Sequence, residues 1–369
     1  MAKIGILATR YATQRNLESI IFRIGSILAQ RHEVEIITHG EVSPRIAAHF
    51  TIRQAGSRLF GIPLVGGVLG RLAILGRYVR EQRPDILMTL SAIGMNGLCV
   101  ALAGRLTGVK SINRITSDIF RVYRYKRPLR AALRLWLKNN VFGRMGIALA
   151  HTTITLHESQ VVVLRRAGFK RSRFFSVSQP IAFPEMDDPE ATRDATRRAL
   201  GVPGQATLVG YVGRLDQDKN PELLARVLSI VLEGDPRARA VIVGDGPMRG
   251  FLESSLPRDR CSFTGALQRD DIGPFYLAMD YLVQTSYSEG LSNVLAEALY
   301  HGVPVVSSDS GPITRAMISN IAATADEIAS YILQGTTVPD TLPPTLKPVV
   351  NREQWLQLID NVLSSDHDA

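Results

Sequence analysis

The stretch LVGYVGRLDQDKNPELLARVLSIVLE, residues 208–233, reads as a buried strand, a polar turn and a helix. Leu208–Val212 is short and apolar, as a parallel strand covered on both faces should be. The same unit recurs downstream. Strands are expected at Ala240–Val243, Cys261–Thr264, Tyr281–Gln284 and Pro304–Ser307, with helices at Ile272–Ala278 and Asn293–His301 between them. Gly302-Val-Pro304 ends the last of these helices and launches the next strand. Upstream the alternation is repeated, with strands at Lys3–Ala8, Glu33–Thr38, Asp85–Leu90, Lys110–Ile115, Thr152–Leu156 and Arg173–Val177. Between the first two, Leu17, Ile20, Ile21, Ile24, Ile27 and Leu28 fall at helical spacing within Asn16–Arg31. Two successive series predict an α/β protein with two facing, Rossmann-like, doubly wound parallel sheets. Ligands of such sheets bind at the carboxyl ends of strands, so the expected site is a cleft between the domains.

Gln179–Pro203 is polar and carries Pro180, Pro184, Pro189 and Pro203, which reads as a linker plus a short charged helix. Thr336–Pro348 is a second linker, and Arg352–Leu363 a last helix with Trp355, Leu356, Ile359 and Leu363 on one face. The length of 369 residues suits two domains. Hydrophobic residues at 45% and charged residues at 21% exclude a disordered, collagen-like or fibrous chain. Cys99 and Cys261 form neither a disulfide framework nor a zinc pattern, and reduced thiols in a cytosolic protein follow. Residues 1–185 carry 28 Lys+Arg against 9 Asp+Glu, whereas residues 186–369 carry 15 against 25. The basic half should therefore meet something anionic. No signal peptide is expected at MAKIGILATRY. Leu59–Gly76 is apolar, but its five glycines, Pro63 and Arg71 argue for a buried or interfacial segment over a membrane span.

The loop after the first strand, Thr9–Arg15, has no glycine, and GxxxxGK[ST] occurs nowhere, so neither a nicotinamide site nor a P-loop is expected. Arg214 and Lys219 flank a turn at a strand's carboxyl end that runs into a helix. Two cations beside a helix N-terminus make a diphosphate clamp; a solvated turn would carry the same residues. Asp216 and Asp218 form an Asp-x-Asp pattern, but a metal beside two such cations is redundant and none is expected. In Ser288-Glu-Gly-Leu-Ser-Asn-Val-Leu-Ala-Glu297, Glu289 precedes a helix and Glu297 lies about one turn inside it. Gly290, Leu291, Ser292 and Asn293 would present backbone N–H groups to a diphosphate, while the glutamates accept hydrogen bonds from ribose or sugar hydroxyls. The bland alternative is a helix with an acidic first turn.

Residues 209–317 resemble the donor-binding domain of the retaining glycosyltransferases of family 4, two-domain enzymes of the GT-B fold. The resemblance is carried by Gly213-Arg214…Lys219-Asn220-Pro221, Val243-Gly244-Asp-Gly246-Pro247, Phe263-Thr-Gly265, Ser288-Glu289-Gly290…Glu297 and His301-Gly-Val-Pro-Val-Val306…Ser310-Gly311-Pro312. His32-Glu-Val34 and Arg83-Pro-Asp85-Ile86 extend it weakly into the first half. It implies that Arg214 and Lys219 bind the donor diphosphate and stabilise the departing nucleotide. Glu289 would contact hydroxyls of the transferred sugar and Glu297 the ribose. Backbone at Gly290–Asn293 would meet sugar and phosphate, with Gly265 near the base and Gly213 and Gly246 in the donor loops. It also implies an acceptor-side domain at 1–182 joined by a helix at 349–369, a linker at 183–204 and a donor domain at 205–348. The chain departs from the family in three places. A glycine pair is missing from the first loop. Arg114-Ile-Thr-Ser117-Asp118 stands where a histidine is usual, which makes Asp118 the candidate for contacting sugar or acceptor. The segment between Met317 and Ile328 is short.

Ile119–Arg144 holds eight Lys+Arg and no acid after Asp118, with Arg130, Arg134 and Lys138 four apart and Leu129, Leu133, Trp136 and Leu137 among them. That is the composition of an interfacial helix on anionic lipid, or of a solvated basic face over an ordinary core; no nucleic-acid motif accompanies it. The resulting expectation is a metal-independent, retaining glycosyltransferase without cofactor. It would use a UDP- or GDP-sugar and a lipid-linked acceptor, such as a polyprenyl diphosphate or glycolipid, in cell-surface polysaccharide or glycoconjugate synthesis. It would be cytoplasmic and peripheral on the inner face of the membrane through 119–144. The alternatives are an inactive nucleotide-sugar-binding scaffold subunit and a soluble enzyme with a small-molecule acceptor.

Overall fold

The computed structural model describes residues 1–8, 15–61, 66–90, 94–116, 120, 123, 129–170, 173–181, 183 and 186–365. The chain forms two compact units, residues 1–180 with 345–369, and residues 181–344.

The first unit is built on seven strands, β1 (Lys3–Leu7), β2 (Glu33–Thr38), β3 (Thr51–Gln54), β4 (Ile86–Met88), β5 (Lys110–Arg114), β6 (Thr152–Thr155) and β7 (Phe174–Ser176). All pairs are parallel, in the order β3-β2-β1-β4-β5-β6-β7, so the winding reverses between β1 and β4. One face buries Ile4, Ile6, Ile86, Ile112 and Ile154 against Ile21, Ile24 and Leu28 of helix Arg15–Leu28 and Trp355 and Ile359 of helix Pro348–Ser364. The other buries Leu7, Ile37 and Leu87 against Leu75 and Tyr78 of helix Gly66–Gln82 and Cys99 and Val100 of helix Met95–Thr107. The carboxyl-terminal helix is anchored at both ends. Trp355 Nε1 and Asn351 Nδ2 both donate to the Ser178 carbonyl, at 2.9 and 2.8 Å. Lys110 Nζ donates to the carbonyls of Val362, Leu363 and Ser365 at 2.7–2.9 Å, which satisfies orphan acceptors where a cation is favoured. Much of the apolar window 59–76 forms a 3-10 turn, Arg58–Gly61, and the start of helix Gly66–Gln82. Among the described residues no helix is long and apolar enough to cross a membrane.

The second unit holds β8 (Leu208–Val212), β9 (Arg239–Val243), β10 (Cys261–Gly265), β11 (Tyr281–Gln284), β12 (Val305–Ser308) and β13 (Ile321–Ala322), all parallel, in the order β10-β9-β8-β11-β12-β13. Its winding reverses between β8 and β11. Val209, Tyr211, Ala240, Ile242, Val283 and Val306 pack on Leu224, Val227, Leu228 and Val231 of helix Pro221–Gly234. The segment 183–204, expected to be a linker with a short charged helix, carries helix Pro189–Ala199, which belongs to this unit. Its polarity serves packing. Arg197 Nη1 donates to Asp280 Oδ2 at 3.0 Å and to the Ala278 carbonyl at 2.9 Å, and Arg193 pairs with Asp280 Oδ1 at 2.5 Å.

Candidate functional site

At the carboxyl ends of β8, β9 and β10 three glycine-bearing loops close on one another. Gly213 N–H donates to the Val243 carbonyl, Leu215 N–H to that of Asp245 and Gly244 N–H to that of Gly265, at 2.9–3.0 Å. A Cβ on Gly244 would lie 1.8 Å from the Gly213 oxygen, and one on Gly246 2.5 Å from the Leu215 oxygen. Both glycines have positive φ, 144° and 157°. The sequence therefore needs glycine here because two backbones touch. Gly265, at φ 73°, marks a register shift between β10 and β9.

The loop fixed in this way carries the two cations. Asn220 adopts the left-handed conformation, φ 53°, and caps helix Pro221–Gly234 through its Oδ1, 3.3 Å from Leu223 N. Lys219, just before it, is tied to the neighbouring strand end by Thr285 Oγ1, which donates to its carbonyl at 2.8 Å. Its ammonium reaches Glu289 Oε1 at 2.5 Å, and Ser286 Oγ donates to the same oxygen at 2.7 Å. Both side chains are largely buried, 22% and 16% exposed. Arg214 is more open, 65% exposed, and pairs with Asp216 and with Asp218, the latter at 3.7 Å. The structure thus brings Lys219 and Glu289 together and leaves Arg214 facing the carboxylates of Asp216 and Asp218. The underlying Tyr211 is raised well above the phenolic range, by burial first and then by Glu289 and its acidic neighbours.

Glu289 is followed by helix Asn293–Tyr300. Ser292 caps it, accepting from Leu295 N at 3.3 Å while donating to Gln284 Oε1 at 2.8 Å. Gln284 Nε2 donates in turn to Ser310 Oγ at 3.3 Å, and Glu289 N–H to the Ser310 carbonyl at 2.8 Å. A buried polar network therefore fixes the Gly290–Asn293 turn from behind. Ser292 is taken up with its side chain as a cap. No acceptor for the N–H groups of Gly290 and Leu291 lies among the described residues. Glu297, a turn further on, is 8% exposed. Tyr276 Oη donates to its Oε2 at 3.0 Å, and Arg269 Nη2 pairs with its Oε1. Sequence reasoning missed Ser286, Tyr276 and Arg269. Only Arg269, a cation a few residues past the Gly265 turn, left any local signal.

Among the described residues no three His, Cys, Asp or Glu side chains are grouped to hold a metal ion. Asp118, the candidate on the acceptor side, and positions 9–14 of the first loop lie outside the described residues. His151 Nδ1 accepts from Ser111 N at 3.1 Å, and His157 caps helix Glu158–Arg166.

Of the basic segment, Arg121, Arg124, Lys126 and Arg127 lie outside the described residues. Helix Leu129–Trp136 exposes Arg130 and Arg134 together with Leu129 (83%), Leu133 (56%) and Trp136, and Leu137 just past its end is exposed as well. Lys138 is exposed like Arg130 and Arg134, and lies in Leu137–Gly143, which is wound as a π-helix. Its methylenes lie against Gly94, and desolvation there lowers its ammonium from the usual lysine range, aided by Arg71, although the residue as a whole is exposed. Arg144, itself exposed, lies over the stacked rings of Phe120 and Phe169, at 4.9 and 5.4 Å, and donates to the Ala167 carbonyl.

Comparison with known proteins follows this division. Residues 192–327 match the family described as glycosyl transferases group 1, and residues 21–178 match a glycosyl transferase 4-like domain. The sulfoquinovosyl transferase SQD2 of Arabidopsis thaliana is 39% identical over 288 residues, covering 76% of this chain and 54% of the relative. A GDP-mannose-dependent alpha-mannosyltransferase of Corynebacterium glutamicum is 27% identical over 240 residues, covering 63% and 53%. The chain spans about half the length of the curated relatives it matches. Anabaena HepE, solved in complex with UDP, superposes over 99% of this chain and all of its own with a TM-score of 0.70 at 17% identity, which shows the fold to be GT-B.

Proposed function

The chain belongs to the group 1 glycosyltransferases, and from that premise we propose that it transfers a sugar from a nucleotide-diphosphate donor with retention at the anomeric carbon, without a metal ion. The observation that carries this reading is the Lys219–Glu289 pair beside the Gly290–Asn293 turn, with Arg214 on the adjoining loop. A diphosphate entering there exchanges carboxylate partners for phosphate oxygens. Arg214 and Lys219 neutralise it, and the N–H groups at the helix N-terminus add their dipoles. When the glycosyl–phosphate bond breaks, negative charge grows on the departing diphosphate and positive charge on the sugar. Fixed cations and N–H groups act where the first appears, and Glu289, released from Lys219, orients the sugar hydroxyls. Glu297 holds the ribose. The two cations supply the charge that a divalent ion would otherwise bring, so none is required.

The acceptor in this reading is lipid-linked, and the enzyme works at an anionic membrane surface. Support comes from the exposed Leu129, Leu133 and Trp136 beside Arg130 and Arg134 on one short helix, with Leu137 exposed just past its end. Asp118 is the proposed contact to sugar or acceptor. Relatives that use GDP-mannose and neighbours solved with UDP bracket the donor base. A thermal-shift series with UDP- and GDP-sugars, with and without EDTA, tests the proposal. At a hundredfold excess over Kd the protein should gain about 2.7 kcal/mol with one base, unchanged by EDTA. No shift with any donor, or a shift that EDTA removes, refutes it.

A further inference from the structure

Arg269 and Glu297 lie on different elements, the 3-10 turn Arg269–Asp271 after β10 and the helix Asn293–Tyr300. They are 28 residues apart, and only the tertiary fold joins them. The pairing is one-sided. Arg269 commits Nη2 to Glu297 Oε1 while its Nε stays buried with no hydrogen-bond partner. An orphaned buried donor is unfavourable. This rotamer is therefore held for the sake of the carboxylate. Glu297 Oε2 is held from the other side by Tyr276, itself 1% exposed and raised well above the phenolic range by burial and by Glu297, so its hydroxyl remains a donor. Two donors of fixed position clamp one carboxylate in one rotamer.

We infer that Arg269 is a positioning residue for nucleoside recognition: by clamping Glu297 as an oriented carboxylate, it makes the site select a ribonucleotide over its deoxy counterpart. The inference rests on the proposed role of Glu297 at the ribose. A carboxylate fixed at both oxygens directs its remaining lone pairs along set lines, and a ribose hydroxyl on such a line is read. A swinging carboxylate would tolerate its loss. A site built to bond a hydroxyl discriminates strongly against the analogue that lacks it. Loss of the Arg269 charge weakens attraction for any nucleotide equally, so the ratio of affinities for ribo and deoxy forms isolates the positioning effect.

The experiment is calorimetric titration of the full chain with UDP, GDP and their 2′-deoxy and 3′-deoxy forms. It compares wild type with Arg269→Met, Arg269→Lys and Glu297→Gln. Wild type should prefer the ribo form of one base by at least about tenfold. Arg269→Met should bring that preference below about threefold, Arg269→Lys should recover part of it, and Arg269→Met added to Glu297→Gln should change it no further. A preference unchanged in Arg269→Met overturns the inference, as does a ribonucleotide that binds Arg269→Met more tightly than wild type, which would make the ion pair a competitor of the ligand. Absence of nucleotide binding by wild type would instead overturn the functional reading on which the inference stands.

Discussion

Replacing Lys219 by methionine separates what its ion pair does for the fold from what it does for the reaction. The ammonium lies 2.5 Å from Glu289 Oε1, and the two side chains are 22% and 16% exposed. Removing one partner of a fully buried pair costs about 3–5 kcal/mol, because the other is left as an uncompensated charge. Partial exposure and the remaining Ser286 hydroxyl reduce that to about 1–3 kcal/mol here. At about 2–4 °C per kcal/mol for a unit of this size, the melting transition should fall by several degrees. Adding Glu289→Gln removes the stranded charge and should restore most of the stability. Activity should behave differently. Lys219 is assigned to the charge that develops on the diphosphate, and loss of one such group lowers kcat by about 10²–10³. The double variant should therefore melt near wild type and still be inactive. The assay pairs calorimetric melting with donor turnover under saturating nucleotide-sugar. Double-variant activity within about threefold of wild type would refute the reasoning, as would a Lys219→Met enzyme of normal kcat.

Three further outcomes follow from particular contacts. Gly244→Ala places a Cβ 1.8 Å from the Gly213 oxygen at φ 144° and should cost at least about 3 kcal/mol and at least tenfold in nucleotide affinity; a normal melting temperature and Kd would contradict the loop-packing account. Burial tends to raise the Glu35 carboxyl, but hydrogen bonds from Arg53 and Tyr78 outweigh it and hold the group below its ordinary 4.5. A depressed carboxylate contributes stability above that ordinary value and loses it as pH falls through the folded one, so Arg53→Met should move the acid-unfolding midpoint, followed by circular dichroism, to higher pH. Arg130→Ala and Arg134→Ala should each lower partitioning onto anionic vesicles by about fivefold at moderate salt, and Leu133→Glu should abolish it while donor hydrolysis persists; equal flotation of all variants would remove the membrane assignment.

The repeated strand–turn–helix unit was readable because buried parallel strands are short apolar runs, and because Lys219-Asn220-Pro221 and Ser292 obey local capping chemistry. What local sequence does not record is pairing across the fold. β3 has no apolar run of its own; its four residues, Thr51–Gln54, are an edge strand defined by register with β2 and by Arg53 on Glu35. The short charged helix expected within 179–203 is present as Pro189–Ala199, but its composition does not reveal that its arginines bind Asp280 and nearby carbonyls. Arg269 and Tyr276 meet Glu297 only through tertiary packing. The π-helical turn Leu137–Gly143 that follows helix Leu129–Trp136 is likewise not revealed by four-residue spacing.

The central claim is tested most directly by proton NMR of the reaction as it proceeds, with EDTA present and an α-configured UDP- or GDP-sugar as donor. The account predicts that the donor is consumed at an undiminished rate and that the anomeric signal appearing first, in transfer or in slow hydrolysis, is again α. A first-formed β anomer, or turnover that stops until a divalent ion is restored, would contradict it.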